Sequence, residues 1–312
     1  MSLMRAQPTI SIAICTHNRA ALLERTLGSL RELHIPSGVV VELVVVASAC
    51  TDATLDVLRK ARHELPFSLQ IVDERTPGLS LARNRGLRAT RSDLIAFLDD
   101  DVWVERGWLD ALVEAANRLP AQLFAGRVTL DWQSGRPQWA SSAVESLLSA
   151  NDRGSEEREV GLASALVGAN FALRRSVVES VGDFQESLGR RGLDLLSGEE
   201  SELVKRALTN DLRLYYVPGM AVRHWVSHER ATKAHLESLA FARGRTRVAL
   251  LGERRWKKVF ACVRLGAAQT VLGGVRELSA WWRRDAAQKV SACLLRQRGL
   301  GTLSALLRTA RA

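Results

Sequence analysis

The stretch DLIAFLDDDV, Asp93–Val102, joins a short apolar run to three consecutive aspartates. The apolar part, Leu94–Leu98, has the length and composition of a buried strand. The aspartates therefore stand at the carboxyl end of a strand, where an α/β chain turns towards a helix. Carboxylates at this edge can hold a divalent cation on a phosphorylated ligand. An acidic turn that only caps the next helix is the alternative.

Outward from this stretch, short apolar runs alternate with segments of helical spacing. Three further strands are predicted before the one that ends at Asp99, at Thr9–Cys15, Val39–Val46 and Ser68–Val72. Helices are predicted between them, at Ala20–Leu33, Thr51–Arg62 and Leu79–Ala89. This alternation predicts an α/β fold with a doubly wound, mostly parallel sheet flanked by helices.

Polar residues follow three of these strands. Thr16, His17, Asn18 and Arg19 follow the first, Ala47–Asp52 follow the second, and the aspartates follow the fourth. Because the carboxyl ends of parallel strands meet at one edge of the sheet, these sets can converge on a single ligand.

The positive charge of the chain belongs to its C-terminal part. Residues 229–312 carry 18 Lys and Arg against 5 Asp and Glu, whereas residues 1–228 carry 26 against 29. We therefore predict a first domain over residues 1–228, with a nucleotide-binding half at about 9–101 and an acceptor half at about 102–228. Residues 229–312 are predicted to form a basic, amphipathic helical region. Charge of this kind also raises a nucleic-acid-binding alternative, but no nucleic-acid-binding motif accompanies it.

Several features favour a cytoplasmic protein. Met1–Pro8 lack the long apolar stretch of a secretory signal. The most apolar C-terminal segment, Val259–Val275, is short and contains Arg264, which argues against a transmembrane span. The four cysteines are far apart and form no CxxC pair, which fits reduced thiols better than disulfides or a zinc site.

Five segments together resemble the family 2 glycosyltransferases, which share the GT-A fold. They are SIAICTHNR (Ser11–Arg19), PGLSLARNRGL (Pro77–Leu87), DLIAFLDDDV (Asp93–Val102), VGANFALRRSVVESVGDF (Val167–Phe184) and GEESELVKRALTNDLRLYYVPGMAVRH (Gly198–His224). They stand in the order of the family, and as a set they are specific, although none is so alone. The resemblance implies inverting transfer of a sugar from a nucleotide-diphosphate sugar to a glycan or lipid-linked acceptor.

By this resemblance, Asp99 and Asp101 match the two aspartates of the DxD motif, which implies Mn²⁺ or Mg²⁺ as the cofactor. Asp99 is expected near the ribose and the metal, Asp101 is the stronger metal ligand, and Asp100 holds the variable middle position on the nucleotide side. His224 matches a histidine that many GT-A enzymes use as a further metal ligand. A structural histidine is the alternative for His224.

The resemblance also implies a general base from the motif Gly198-Glu199-Glu200, where the family usually has Gly-Glu-Asp. Glu200 is the predicted base, and Glu199 is an acceptor-site or orienting residue, with an exchange of the two roles left open. Alternatively, these acids only favour the first turn of the helix that follows.

The clearest departure from the family follows the second strand, where Ala47 replaces the usual nucleotide-contacting aspartate. This leaves the base specificity open and raises the alternative of a catalytically impaired nucleotide-sugar-binding module. The remaining nucleotide-side candidates are Thr16, Asn18, Arg19 and Arg83, of which Arg83 can meet phosphate or base.

The sugar side has weaker candidates. Asn170 matches a position that borders the donor sugar or the acceptor, with a backbone-bonding amide as the alternative. Trp103, Trp108, Trp132 and Trp139 can supply a sugar-stacking platform, although core packing explains aromatic residues more often. The polar stretch from Trp132 to Glu159 predicts a loop over the acceptor side. The QxxRW motif of processive members is absent, which favours transfer of one sugar.

The C-terminal region is predicted to be mostly helical from Leu236, and Gly273-Gly274 is a point where a helix could be interrupted. Its apolar residues recur at helical spacing and are flanked by arginines, lysines and tryptophans. This pattern predicts an amphipathic surface, over residues 236–298, for an anionic membrane on the cytoplasmic face. Packing on protein is the alternative, and homo-oligomers are left open.

Overall fold

A computed structural model describes residues 9–162, 165–192, 194–251 and 256–311. They divide into two compact units. Unit 1 comprises the residues up to Thr129 together with Ser149–Glu186 and Glu199–Trp225, and unit 2 comprises Leu130–Leu148, Ser187–Gly198 and the residues from Val226 onward. The division at residue 228 into a catalytic domain and a basic region stays a prediction.

The described residues form nine strands and ten helices. The strands are β1 (Thr9–Thr16), β2 (Val40–Ser48), β3 (Ser68–Glu74), β4 (Leu94–Asp99), β5 (Val102–Val104), β6 (Leu123–Trp132), β7 (Arg158–Glu159), β8 (Asn170–Arg174) and β9 (Leu214–Val226). The helices are α1 (Ala20–Arg31), α2 (Thr54–Ala61), α3 (Leu79–Ala89), α4 (Trp108–Arg118), α5 (Ser142–Leu147), α6 (Arg175–Val181), α7 (Glu199–Thr209), α8 (Lys233–Ala249), α9 (Trp256–Trp282) and α10 (Ala286–Arg311).

One mixed sheet carries unit 1. Its strand order is β3-β2-β1-β4-β8-β6-β9-β5, with β7 beside β9. The pairs β1–β2, β2–β3 and β1–β4 are parallel, whereas β4–β8, β6–β8, β5–β9 and β7–β9 are antiparallel. The predicted α/β class and the parallel half are thereby confirmed. The second half contributes antiparallel strands that the sequence periodicity did not separate.

The strand register determines where the polar segments meet. Thr16 at the end of β1 lies beside Ala47 of β2, and Cys15 lies beside Asp99 of β4. Because β1 is the central strand of this parallel group, the segments after β1, β2 and β4 leave the sheet at one edge. This is the convergence that the sequence predicts.

Most predicted helices agree with the structure within a few residues, but α2 begins at Thr54 instead of Thr51. The reason is the Asp52 carboxylate, which accepts hydrogen bonds from the backbone N–H of Thr54 at 3.1 Å and of Ala20 at 3.0 Å. Ala20 and Thr54 are the first residues of α1 and α2, so Asp52 holds the start of both helices and lies before α2.

In unit 2, α10 packs along α8 and along α9 through glycines. A Cβ on Gly301 would lie 2.0 Å from the carbonyl oxygen of Phe241 in α8, and a Cβ on Gly273 would lie 2.6 Å from the backbone nitrogen of Arg296 in α10. The interruption considered at Gly273-Gly274 is wrong, because α9 runs through both residues. Part of the predicted loop over 132–159 is instead helix α5. Among the described residues, no helix has the length and apolar character needed to span a membrane.

Candidate functional site

Two carboxylates and an imidazole gather at the edge of the sheet in unit 1. Asp99 ends β4, Asp101 lies two residues on, and the ligand atoms of Asp99, Asp101 and His224 all lie within 4.8 Å of one another. His224 reaches this place because it pairs with Val102 in the β5–β9 ladder, while the N–H of Trp225 donates to the Asp101 carbonyl at 2.8 Å. The structure thus brings together the three predicted metal ligands.

The three ligands differ in exposure. The Asp99 side chain is 34% exposed, whereas those of Asp101 and His224 are 3% and 2% exposed and lie 3.0 Å apart between Oδ1 and Nε2. Asp99 is therefore the member of the group that solvent or a ligand can reach. Carboxylate oxygens with one imidazole nitrogen form a donor set that suits Mn²⁺ or Mg²⁺, so the residues present fit the implied metal.

Arg19 binds Asp100 and Asp101, the two aspartates that follow Asp99. Its Nη1 donates to Asp100 Oδ1 and to Asp101 Oδ2, each at 3.0 Å. Burial raises the pKa of Asp100 to about 6, although the Arg19 charge opposes the shift. Thr26 also donates to the Asp100 carbonyl at 2.9 Å. Asp100, predicted on the nucleotide side, is thus buried and bound to protein, and the contact of Arg19 with both acids orients Asp101.

Arg83 is the centre of a second, deeper cluster. Its Nη1 donates to Glu199 Oε1 and lies 3.8 Å from Glu200 Oε2, and its Nη2 lies 3.9 Å from Asp99 Oδ1. Burial disfavours the charged guanidinium and by itself would lower its pKa. The negative charges of nearby acids, above all Glu199 and Glu200, act in the opposite direction, and the pKa of Arg83 is raised overall. The Arg83 side chain is only 3% exposed. The sequence placed Arg83 on the nucleotide, whereas its contacts here are mainly carboxylates.

The two glutamates at the start of α7 are not equivalent. The Glu199 side chain is 2% exposed and bound to Arg83, whereas the Glu200 side chain is 17% exposed. Burial and the neighbouring charge of Glu199 raise the pKa of Glu200 to about 8. A carboxylate that binds its proton this firmly is well matched to proton transfer near neutral pH. Acids that only stabilise a helix terminus do not need such burial.

The Asn18 side chain is hydrogen-bonded to the loop that follows β2. Its Oδ1 accepts from the N–H of Thr51 at 2.7 Å and of Asp52 at 3.3 Å, and its own backbone has a φ of 51°. Thr16 is buried at the end of β1. His17, one of the polar residues after β1, contacts the Ser48 carbonyl through Nδ1 at 2.6 Å. The segments after β1 and β2 are therefore bound to each other, and the Asn18 side chain helps to shape this edge.

Asn170 lies in a fully buried network. Its Nδ2 donates to the carbonyls of Arg127 at 3.0 Å and Met220 at 2.7 Å, and its Oδ1 accepts from Trp108 Nε1 at 2.9 Å. Both amide protons are used by the protein itself. These contacts favour the alternative that Asn170 is a structural amide, with Trp108 in the core beside it.

The main feature that the sequence interpretation missed is the pairing of Arg83 with Glu199. The two residues are 116 positions apart, so no local pattern joins them. Arg83 stands four residues from both Leu79 and Leu87, which places it on the apolar face of the predicted helix, and this unusual position for an arginine is the signal that the sequence offers. In the resulting arrangement, Nη2 of Arg83 lies near Asp99 of the candidate metal group, and Nη1 lies near the acid pair Glu199 and Glu200.

Known families and proteins are similar to this chain over more than half of its length. The model of Glycosyl transferase family 2 matches residues 11–182, which is more than half of the chain. Succinoglycan biosynthesis protein ExoM of Rhizobium meliloti (strain 1021) is 29% identical over 247 residues, covering 78% of this chain and 76% of the relative. Pre-mycofactocin glycosyltransferase of Mycobacterium tuberculosis (strain CDC 1551 / Oshkosh) is 29% identical over 218 residues, covering 69% of this chain and 42% of the relative.

Among solved structures, the mannosyltransferase of Pyrobaculum calidifontis in complex with GDP-Man and Mn²⁺ is similar in fold, with a TM-score of 0.63 and 18% identity. The match covers 95% of this chain and 87% of that chain. At this identity the likeness concerns the fold. It agrees with the GT-A architecture that the motifs imply.

Proposed function

The chain belongs to glycosyl transferase family 2, and from that premise we propose a metal-dependent, inverting enzyme that transfers one sugar from a nucleotide-diphosphate sugar to an acceptor hydroxyl. Asp99, Asp101 and His224 would hold the metal, and Glu200 would be the general base. The observation that carries the proposal is that Asp99, Asp101 and His224 lie together beside the acid pair Glu199 and Glu200. Arg83 lies between the two groups, near Asp99 on one side and near the glutamates on the other.

The metal assignment is supported by the donor set and by the support around it. Arg19 donates to Asp101 Oδ2 and helps to orient its carboxylate, Asp101 Oδ1 lies 3.0 Å from His224 Nε2, and Asp99 presents an accessible oxygen. A bound Mn²⁺ or Mg²⁺ would neutralise the charge that develops on the leaving nucleotide diphosphate. The mannosyltransferase neighbour contains Mn²⁺ and GDP-Man, which makes Mn²⁺ the first cation to test.

The choice of Glu200 as the base is supported by its exposure and its environment. The acceptor hydroxyl must lose its proton as its oxygen attacks the anomeric carbon, and Glu200 is the acid of the pair that a substrate can reach. Glu199 is bound to Arg83 and is better suited to orient the pair than to contact an acceptor. The raised pKa of Glu200 keeps it a strong enough base for this step.

Nucleotide binding is proposed at the edge formed by the ends of β1, β2 and β4. Asp99 and the backbone around Thr16 and Asn18 line this edge, and Arg19 and Arg83 supply positive charge behind it. Ala47 is buried and offers no polar group to the base. We therefore expect weaker discrimination between nucleotide bases than a carboxylate at this position would give.

For the acceptor we propose a glycan or a lipid-linked sugar. The name of the ExoM relative concerns succinoglycan biosynthesis, which supports a role in making a polysaccharide. A peripheral position on the cytoplasmic face of an anionic membrane is proposed through α9. Its exposed apolar side chains include Phe260, Val271, Leu278 and Trp282, each at least 64% exposed. Exposed arginines on the same helix suit anionic headgroups.

The metal proposal is tested by thermal shift with UDP and GDP, each with and without Mn²⁺. Binding to the folded state raises the melting temperature, so we expect a rise that needs nucleotide and metal together. Asp101→Ala should abolish the metal-dependent part. Asp56→Ala, which removes an aspartate with a 77% exposed side chain elsewhere in unit 1, should respond like the wild type.

An unchanged metal response of Asp101→Ala would contradict the assignment of this ligand. Turnover is then measured with the Mn²⁺-loaded protein on a broad panel of nucleotide sugars, following both hydrolysis and transfer. Binding without any turnover would favour the nucleotide-sugar-binding module instead.

A further inference from the structure

Unit 2 contains a pocket of about 600 Å³ that none of the assignments above uses. Its apolar wall is formed by Trp132, Trp139, Val226 and Val290, and Gln133 and His228 lie among its polar lining residues. This volume falls in the range of about 300 to 1,000 Å³ that is usual for small-molecule sites.

The side chains of Trp132 and Trp139 are held in place by packing and remain partly exposed to solvent. Both are half-buried, and both pack against an apolar cluster of unit 2 that includes Leu147, Leu236 and Leu294. Between them, Gly135 has a φ of 75° and its N–H donates to the Trp132 carbonyl at 3.1 Å. This turn reverses the chain, so the two indole rings line the same pocket.

Polar contacts fix the rim as well. The N–H of Gln133 donates to the Val226 carbonyl at 3.0 Å, and Gln133 Oε1 accepts from the N–H of His228 at 3.0 Å. The Gln133 side chain therefore joins the turn between the tryptophans to the segment that follows β9. Such a wall is preformed, which reduces the entropy that binding would cost.

The charges of the pocket decide which ligand it suits. Arg136 Nε lies 2.7 Å from Glu145 Oε1, and Lys233 Nζ lies 3.5 Å from Glu237 Oε1. Each of these two cations thus has an acidic partner within unit 2. A phosphate or a lipid diphosphate would have to compete with Glu145 and Glu237 for these cations. A neutral ligand with an apolar face and several hydroxyls fits this pocket better.

We propose that this pocket binds neutral pyranose residues of the acceptor glycan, with their apolar faces stacked on Trp132 and Trp139 and their hydroxyls meeting polar groups of the rim. The proposal rests on the proposed function, because it names the substrate class that the transferase extends. The C–H groups on one face of a pyranose ring form a flat apolar surface, and an aromatic ring packs against such a surface with a large contact area.

Saturation-transfer NMR on the full chain tests this with neutral trisaccharides as probes, namely cellotriose, maltotriose, laminaritriose, mannotriose and chitotriose. We expect at least one of them to bind. Trp132→Ala and Trp139→Ala should each weaken that binding at least tenfold, whereas Trp132→Phe and Trp139→Phe should retain most of it. Tyr215→Ala, which removes a half-buried aromatic side chain of unit 1, should have no effect.

If no trisaccharide binds, or if binding is indifferent to both tryptophans, the inference is wrong. Binding of geranyl diphosphate that requires Trp132 or Trp139, without trisaccharide binding, would show a lipid diphosphate site instead. If an alanine variant fails to fold, Trp132→Leu and Trp139→Leu, which keep an apolar side chain but remove the aromatic ring, replace it and should likewise lose the binding that the phenylalanine variants retain.

The nucleotide and Mn²⁺ thermal shift is measured on the same samples. A preserved shift with no sugar binding removes only this inference. Tryptophan-dependent sugar binding without any nucleotide response would leave the pocket standing and remove the proposed transfer.

Discussion

Arg83 and Glu199 form an ion pair that is withdrawn from water, with side chains 3% and 2% exposed. Removing two charges from water is costly, and the pair is tolerated because each supplies the other's counter-charge. Arg83 Nη2 also lies 3.9 Å from Asp99 and its Nη1 lies 3.8 Å from Glu200, so one guanidinium faces three carboxylates. We therefore propose that Arg83 positions these acid groups, and its contact with the nucleotide stays a prediction.

Replacing Arg83 with methionine should therefore destabilise the protein strongly. Glu199 would be left buried without a counter-charge, and breaking a buried pair in this way costs about 3 to 5 kcal/mol. Urea denaturation measures the loss, and Arg83→Met/Glu199→Gln should recover part of it. In Arg88→Met, the pair with Asp183 has side chains 54% and 38% exposed, so its loss should cost less than about 1 kcal/mol. Equal costs at the two positions would contradict this account.

Glu200→Gln should abolish most of the activity while leaving nucleotide and Mn²⁺ binding intact. Loss of a general base lowers rates by about 10²- to 10⁴-fold. In the wild type, kcat/KM should rise with pH towards a plateau above about 8, because the pKa of Glu200 is raised to about 8 and only its ionised form accepts a proton. Glu202→Gln is the control, since Glu202 is on the same helix but pairs with Arg206. A variant at Glu200 with wild-type kcat would exclude it as the base.

The same residue gives a stability signature of defined sign. Its folded pKa lies above the ordinary value, so the folded protein holds a proton that the unfolded chain releases. The stabilising contribution is complete below the ordinary pKa of Glu and is lost as the pH rises through about 8. The melting temperature of Glu200→Gln relative to wild type should therefore be higher at pH 9 than at pH 5.

At the scale of elements, adjacent glycines in α9 have opposite surroundings. A Cβ on Gly273 would lie 2.6 Å from the backbone nitrogen of Arg296, whereas nothing lies within 4 Å of a Cβ on Gly274. The helix continues through both because α10 packs along it, and this tertiary contact outweighs the low helix propensity of glycine. The Gly273 side of α9 is therefore an inter-helix contact.

Two alanine substitutions separate these effects. Gly274→Ala should stabilise the protein by about 0.5 to 1 kcal/mol, because alanine favours the helix and fits the space. Gly273→Ala should destabilise it by about 1 to 3 kcal/mol, because the added methyl group overpacks the contact with α10. Urea denaturation of both variants provides the comparison. A gain at both positions would show that α9 and α10 do not pack this closely.

At the scale of the whole molecule, the positive charge and the exposed apolar side chains of α9 occur in the same C-terminal region. Cys262, Gly266, Gly273 and Ala280 are buried along one side of α9, and the exposed apolar residues lie largely on the opposite side. A helix with this distribution can lie in a membrane surface with its apolar face among the lipids and arginines at the headgroups. The same face could instead meet a second copy of the chain.

Flotation with anionic vesicles distinguishes the two. The wild type should float at low salt and less at high salt, because headgroup attraction is screened. Val271→Glu/Leu278→Glu should stay at the bottom of the gradient, whereas Leu162→Glu, at an exposed leucine of unit 1, should float normally. If the double variant still floats, the membrane proposal for α9 is wrong. A loss of dimer in sedimentation, without any flotation of the wild type, would assign the face to self-association.

The local parts of the fold could be predicted because their signals are local. The alternation of apolar runs and helical spacing predicted the parallel strands up to Asp99, and α3 occupies the predicted range Leu79–Ala89. The antiparallel partners β5 and β9 were not separated in this way. Their pairing depends on residues more than 100 positions apart, such as Val102 with His224.

The sequence by itself determined the order of strands and helices up to Asp99, the carboxylates at the end of β4, and the acids at the start of α7. These follow from short-range periodicity and from motifs of fixed spacing. Only the tertiary structure decided that Arg83 binds Glu199, that Asp100 is buried and bound by Arg19, and that Trp132 and Trp139 share a pocket. The physical reason is that burial and counter-charge arise between segments distant in the chain, after packing has brought them together.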